Sequence, residues 1–135
     1  MADGTAERAV AERPVERLTA ADLDAPGLGE RATLVQFSSA FCRPCAATRR
    51  ILADVAGMVA GVVYVDVDAE SHLGLVRRLE VERTPTVLVL DADGRVVRRA
   101  AGLPRKADVI AALGVAVTGE PGPAERVGNV TAERA

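Results

Sequence analysis

Leu34-Val35-Gln36-Phe37-Ser38-Ser39-Ala40-Phe41-Cys42-Arg43-Pro44-Cys45 joins an apolar run to a short turn and a cysteine pair with two residues between them. Its reading decides the fold. Leu34 to Phe37 has the composition of a short strand, Ser38 to Ala40 supply a turn, and Pro44 suits a first helical turn, where its missing N–H has no partner to lose. Cys42 then stands at a helix N-terminus. A C-x-x-C directly after a strand and opening a helix reads as a redox motif. The chain holds no other cysteine, so the pair can open and close one disulfide.

Outward from this stretch the pattern alternates. Val15 to Leu18 is expected as a first strand, Ala32 to Phe37 as a strand, Pro44 to about Val59 as a helix, and Val62 to Val67 as a strand. Such alternation argues for an α/β fold. Ile51, Leu52, Val55, Met58 and Val59 recur at three- and four-residue steps, the stripe of a helix that covers a sheet. Asp68 can cap a second helix, with Leu73, Val76 and Leu79 facing inward and Thr84-Pro85 ending the segment. Thr86 to Leu90 then reads as a buried central strand. Asp91-Ala92-Asp93-Gly94 has the residues of a tight hairpin turn, and Arg95 to Ala100 returns as an arginine-rich edge. A last helix, Pro104 to Leu113 with Val109, Ile110 and Leu113 packed, is expected to stop at Gly114.

The chain has 135 residues, 49% hydrophobic and 27% charged, enough for one globular domain with a core of its own. Residues 1–14 and 115–135 are polar or Pro/Gly-rich and read as flexible tails around a domain at 15–114. The formal net charge is −2 with both signs interspersed, so neither nucleic acid nor a membrane surface is an expected partner. Met1 to Arg8 carries acidic residues and no apolar segment, which argues against a secretory signal or spanning helix there. A cytoplasmic location is therefore expected, and in a reducing compartment a lone cysteine pair is catalytic, redox-sensing or metal-binding rather than a staple.

The order of these pieces, strand, C-x-x-C helix, strand, helix, Thr-Pro strand, hairpin and terminal helix, resembles the thioredoxin family from about Val15 to Gly114. The resemblance implies a thioredoxin-like fold, a central mixed sheet flanked by helices. It also implies that Pro85 is cis and lies against the cysteine pair, that Thr84 presents its backbone to an extended substrate, and that Gly102 keeps that groove open. The implied activity is thiol-disulfide exchange on protein disulfides, without a bound cofactor. A thioredoxin reductase is the implied electron donor, and a monomer is expected.

In such exchange one acidified, accessible thiol attacks and a second resolves the mixed disulfide. Cys42 fits the first role, because the helix N-terminus favours its anion, and Cys45, a turn inside, fits the second. Phe41, Arg43 and Pro44 are the expected modulators of the pair. Arg43 adds a cation beside Cys42, which should stabilise the thiolate. Phe41 and Arg43 replace the family's usual Trp and Gly, Gln36 stands where thioredoxins have a buried Asp, and Tyr64 aligns with their neighbouring Lys. Slower turnover on generic substrates and a potential above thioredoxin's roughly −270 mV are therefore expected.

Other readings exist for each feature. The two cysteines could be inert buried thiols or half of a zinc site shared between two chains. Zinc within one chain would need about four ligands, and the chain adds only His72, which reads as a surface helix residue. Arg77 and Arg78 read as a solvated helix face, and Asp66 and Asp68 as capping and turn residues. The competing functional class is a redox-responsive binding module whose cysteines report oxidation to a single partner.

Overall fold

The computed structural model describes residues 16–119. Four strands and three helices follow one another: β1 (Ala32–Ser38), α1 (Arg43–Met58), β2 (Val62–Asp68), α2 (Leu73–Leu79), β3 (Thr86–Asp91), β4 (Val96–Ala101) and α3 (Lys106–Thr118). Strand order is β2-β1-β3-β4. β1 pairs parallel with β2 and antiparallel with β3, and β3 pairs antiparallel with β4. This is an α/β fold on a mixed sheet.

Position in the sheet explains the composition of each strand. β1 is buried at every residue because it lies between two strands and under cover on both faces, which a near-continuous apolar run suits. One face packs Leu34, Val87 and Val89 against Leu52 and Val55 of α1 and Val109 and Leu113 of α3. The other packs Val35, Phe37, Leu88 and Leu90 against Leu18, Leu23, Leu79 and Val81. β4 is an edge strand, as its arginines suggest. Arg99 is nevertheless engaged, donating to the carbonyls of Leu79 and Glu80 at the end of α2.

The tight turn before β4 depends on its glycine. Gly94 has φ +85°, and a Cβ there would collide with the carbonyl oxygen of Leu18. That close approach lets Leu18 N–H donate to Gly94 O at 2.9 Å, which ties the opening segment to the hairpin.

Several expected boundaries move. Val15 and the expected tail 1–14 lie outside the described residues. Among the described residues 16–18, the expected first strand is reduced to one bridge, between Arg17 and Arg95. The chain turns away at once because Thr19 and Asp22 cap each other reciprocally, backbone N–H to side-chain oxygen at 2.8 and 3.1 Å. At the other end α3 passes through Gly114 to Thr118 and is closed by Gly119, left-handed at φ 75°. Glycine inside a helix costs about 1 kcal/mol relative to alanine. Here the apolar stripe Val109, Leu113, Ala116 continues past it and buries Ala116. The folded domain thus runs beyond the expected limit at residue 114, and 120–135 lie outside the described residues.

The same stripes correct three core assignments. In α1 the buried side is Cys45, Thr48, Leu52 and Val55, and Met58 lies about 100° round the helix from its centre, exposed. Ile110 is likewise one position off the α3 stripe and exposed. Leu73 is exposed because Asp68 caps a separate short 3-10 turn, Ala69–Ser71, so that α2 begins only at Leu73.

His72, expected on a surface helix face, is instead the N-cap residue of α2. Its Nδ1 lies 2.9 Å from Asp68 O and its Nε2 2.9 Å from Asp24 Oδ2. A carbonyl and a carboxylate both accept, so the ring satisfies both only as the doubly protonated cation. The Asp68 carbonyl first, and the Asp24 carboxylate second, raise the His72 pKa above its ordinary value. The resulting stabilisation is fully present below the unfolded-state pKa, near 6.5, and is lost as pH rises through the folded-state pKa. Asp24→Asn should therefore lower the thermal midpoint by a small amount at acidic pH and by less at alkaline pH. A gap that widens on the alkaline side would reverse this assignment. Arg78 is not simply solvated either: it pairs with Glu16 at 2.7 Å and Asp22 at 3.5 Å.

Candidate active site

Backbone geometry places the cysteine pair at the N-terminus of α1. Cys42 is the N-cap residue, extended at φ −95° and ψ 104°, with no side-chain cap and no acidic residue in the first turn. Pro44 follows in that turn, where helices tolerate it. Cys42 and Cys45 form a disulfide, S–S 2.07 Å with Cα atoms 5.4 Å apart. Cys45 is buried among the first residues of the α1 stripe, and Cys42 is partly exposed. The more accessible sulfur thus belongs to the N-cap residue, at the end of α1 where helices leave N–H groups without helical partners and the dipole is positive.

A second segment meets this one. The Thr84-Pro85 peptide bond is cis. Thr84 Oγ1 lies 3.1 Å from Ser39 Oγ, and Cys42 N–H points back to Ser39 O at 3.4 Å, which links the Thr84-Pro85 loop to the cysteine turn. Thr86 Oγ1 donates to Arg83 O at 2.6 Å, and Gly102 N–H donates to Pro85 O at 2.8 Å. Thr84, Pro85 and Gly102 are thereby one connected unit beside the turn. Gly102 has φ +91°, and the tip of Arg83 lies 3.5 Å from where a Cβ would stand, so glycine meets a backbone requirement there as well as leaving space. Phe41 is 92% exposed; Arg43 and Pro44 are exposed too. Next to Thr84 a hollow of about 240 Å³ is lined by Leu73, Val76, Val81, Glu82 and Arg83.

Under the pair lies a polar network that motif reading did not find. Gln36, fully buried, donates from Nε2 to Cys45 O at 3.0 Å and accepts from Tyr64 OH at 2.7 Å. Burial, first, and the Asp66 carboxylate, second, push the Tyr64 pKa up to about 12, although Arg49 opposes them. Asp66 is not the turn residue expected from sequence. It accepts from Ser38 Oγ at 2.6 Å and from Arg49 Nε at 3.1 Å, while Asp68 alone takes the capping role. The resemblance sets Gln36 and Tyr64 at the positions of a buried Asp and its neighbouring Lys, and the register that joins them brings Gln36 opposite Asp66 and Leu34 opposite Tyr64.

Among the described residues no group of three or more His, Cys, Asp or Glu is arranged to hold a metal ion. No helix among them is long and apolar enough to cross a membrane.

A family model for the Thioredoxin-like domain matches residues 19–116. The chain belongs to that family. Solved structures similar to this thioredoxin-like domain include a mutant thioredoxin from Halobacterium salinarum NRC-1, at 16% identity and TM-score 0.60, covering 68% of this chain and 80% of that one. Chloroplastic thioredoxin z is 23% identical at TM-score 0.56, with 82% and 86% covered. Thioredoxin-2, described as a component of malaria parasite protein secretion machinery, is 18% identical at TM-score 0.56, with 62% and 82% covered. No curated protein matches the sequence. At these identities the thioredoxin-like domain shares the fold with its neighbours, and its chemistry rests on its own cysteine pair.

Proposed function

We propose that the protein is a thiol-disulfide oxidoreductase acting on protein disulfides through a Cys42/Cys45 dithiol-disulfide cycle. The observation that carries this reading is the disulfide at the helix N-terminus, with one sulfur partly exposed and the other buried. In the reducing direction the Cys42 thiolate attacks a substrate disulfide, forming a mixed disulfide and releasing one substrate thiolate. Cys45 then attacks Cys42 Sγ, the second substrate sulfur leaves, and two electrons have passed from the pair to the substrate. Thr84 and Pro85 would hold an extended substrate by its backbone, with Gly102 leaving room and Phe41 and Arg43 meeting the side chains around the target disulfide.

Re-reduction requires a dithiol donor, for which a thioredoxin reductase in the cytoplasm is the natural class. A monomer suffices for the cycle. Arg43 beside Cys42 favours the thiolate, which makes the disulfide more oxidising than one with a neutral residue there. Gln36 gives a specific reason to keep the competing reading, a redox-responsive binding module: it offers no proton acceptor to the second thiol, which suits slow turnover.

Insulin reduction by dithiothreitol separates the two. The protein should accelerate insulin precipitation over many turnovers, and Cys42→Ser should return the rate to the uncatalysed background. A wild-type rate no faster than background would sink the reductase reading and favour the binding module.

A further inference from the structure

We infer that Gln36 and Tyr64 are positioning residues that hold the resolving cysteine in place, in a site where neither of them serves as a base to take its proton. The inference rests on the exchange cycle proposed above and says how its second half runs. The orientation of the Gln36 amide is fixed by chemistry. Cys45 O can only accept, so the amide NH₂ must face it, and the amide oxygen is left for the Tyr64 hydroxyl. The hydroxyl therefore donates, and the chain Tyr64 to Gln36 to Cys45 O runs in one direction from the half-buried edge of β2 to the first turn of α1.

Each link holds the next. Gln36 is fixed by the sheet, since β1 is hydrogen-bonded on both sides. Its amide grips the carbonyl of the residue whose sulfur must reach Cys42. Without Tyr64 the Gln36 oxygen would be buried and unpaired, free to turn the amide away from Cys45. Small displacements of reacting atoms are costly in rate, on the order of a hundredfold for about 1 Å.

The same chain offers no base. Among the described residues, the charged or titratable groups tied to the Gln36 amide or to its Tyr64 partner are Tyr64 and Asp66 on β2 and Arg49 on α1. β3 brings Val87 opposite Gln36, with Thr86 before it, and neither titrates. Tyr64 stays neutral through the physiological range, and Asp66 is occupied by Ser38 and Arg49. The resolving step is then Cys42–S–S–R plus Cys45–SH giving Cys42–S–S–Cys45 plus R–SH. The Cys45 sulfur is oxidised, the substrate sulfur is reduced, and the proton passes through water to the departing thiolate.

Stopped-flow mixing of the reduced protein with one equivalent of dithiobis(nitrobenzoate) tests this. The first thionitrobenzoate released reports attack by Cys42, and the second reports resolution by Cys45. In the wild type the second rate should rise about tenfold per pH unit to a single plateau, the signature of one ionisation, that of the Cys45 thiol. Gln36→Leu and Tyr64→Phe should slow it roughly tenfold at every pH without changing that shape. Tyr64→Phe removes one half-buried hydroxyl, so it carries the test if Gln36→Leu melts.

Gln36→Glu supplies a conservative rescue. Its protonated acid can donate to Cys45 O and accept from Tyr64, so it should resolve faster than Gln36→Leu at low pH. A second inflection should appear as the buried carboxyl ionises. Two ionisations in the wild type, or wild-type rates in both Gln36→Leu and Tyr64→Phe, would overturn the inference alone. A wild-type adduct that releases nothing at any pH would overturn the exchange cycle itself.

Discussion

Cys45→Ser is expected to arrest the protein as a mixed disulfide with its substrate, and turnover should fall to background. The two sulfurs differ in surroundings even though they share one bond. Cys42 caps α1 with no side chain competing for the free N–H groups, no acidic residue in the first turn, and Arg43 next in sequence. Cys45 lies a turn deeper and is only 2% exposed. The thiolate is the nucleophile, and the helix N-terminus favours it at Cys42. A serine at position 45 cannot complete the second exchange, because its hydroxyl is not ionised near neutral pH. Reduced Cys45→Ser incubated with insulin should gain the mass of insulin on a non-reducing gel and lose it with dithiothreitol. Cys42→Ser should form little adduct under the same conditions. The reverse pattern, adduct through Cys45 alone, would exchange the two roles and remove the argument from helix position.

What made the placement of the cysteine pair legible was local. A continuous apolar run, a turn, and a proline inside a cysteine pair state their structure within a dozen residues, and β1 and α1 formed where that stretch placed them. The α/β alternation and the edge character of β4 followed from composition for the same reason. Contacts that depend on which strands become neighbours were not readable. The absence of an acid at Gln36 was visible in the sequence, but the parallel register with β2 was needed to bring Tyr64 to its amide and Asp66 to Ser38. Capping misled in two places. Thr19 and Asp22 turned the chain directly after the expected strand at 15–18, and Gly114 was carried through by the stripe that buries Ala116. At Gly114 a tertiary contact outweighed a local preference of about 1 kcal/mol, whereas the Thr19–Asp22 turn is itself a local contact three residues apart.

The two phenylalanines of the chain should divide stability from function between them. Phe37 is 0% exposed, at the core of the β1 face that packs on Leu18, Leu23 and Leu79, whereas Phe41, four residues later, is 92% exposed beside Cys42. Phe37→Ala removes a whole ring from a close-packed interior, and such truncations cost about 3–5 kcal/mol. Against a total of about 5–15 kcal/mol for a domain, that is a large share, and the thermal midpoint should fall by about 10–30 °C. Phe41→Ala loses no buried contact of that kind, so its unfolding free energy should stay within about 0.5 kcal/mol of wild type. An exposed ring of that size next to Cys42, the sulfur proposed to attack, is instead available to a partner, and its loss should raise the KM for insulin with little change in kcat. Urea titration and insulin kinetics on both variants give the comparison. A Phe41→Ala protein as unstable as Phe37→Ala would mean that the ring is packed in solution. A Phe41→Ala protein with unchanged KM would mean that substrates dock on the Thr84-Pro85 side of the disulfide without it.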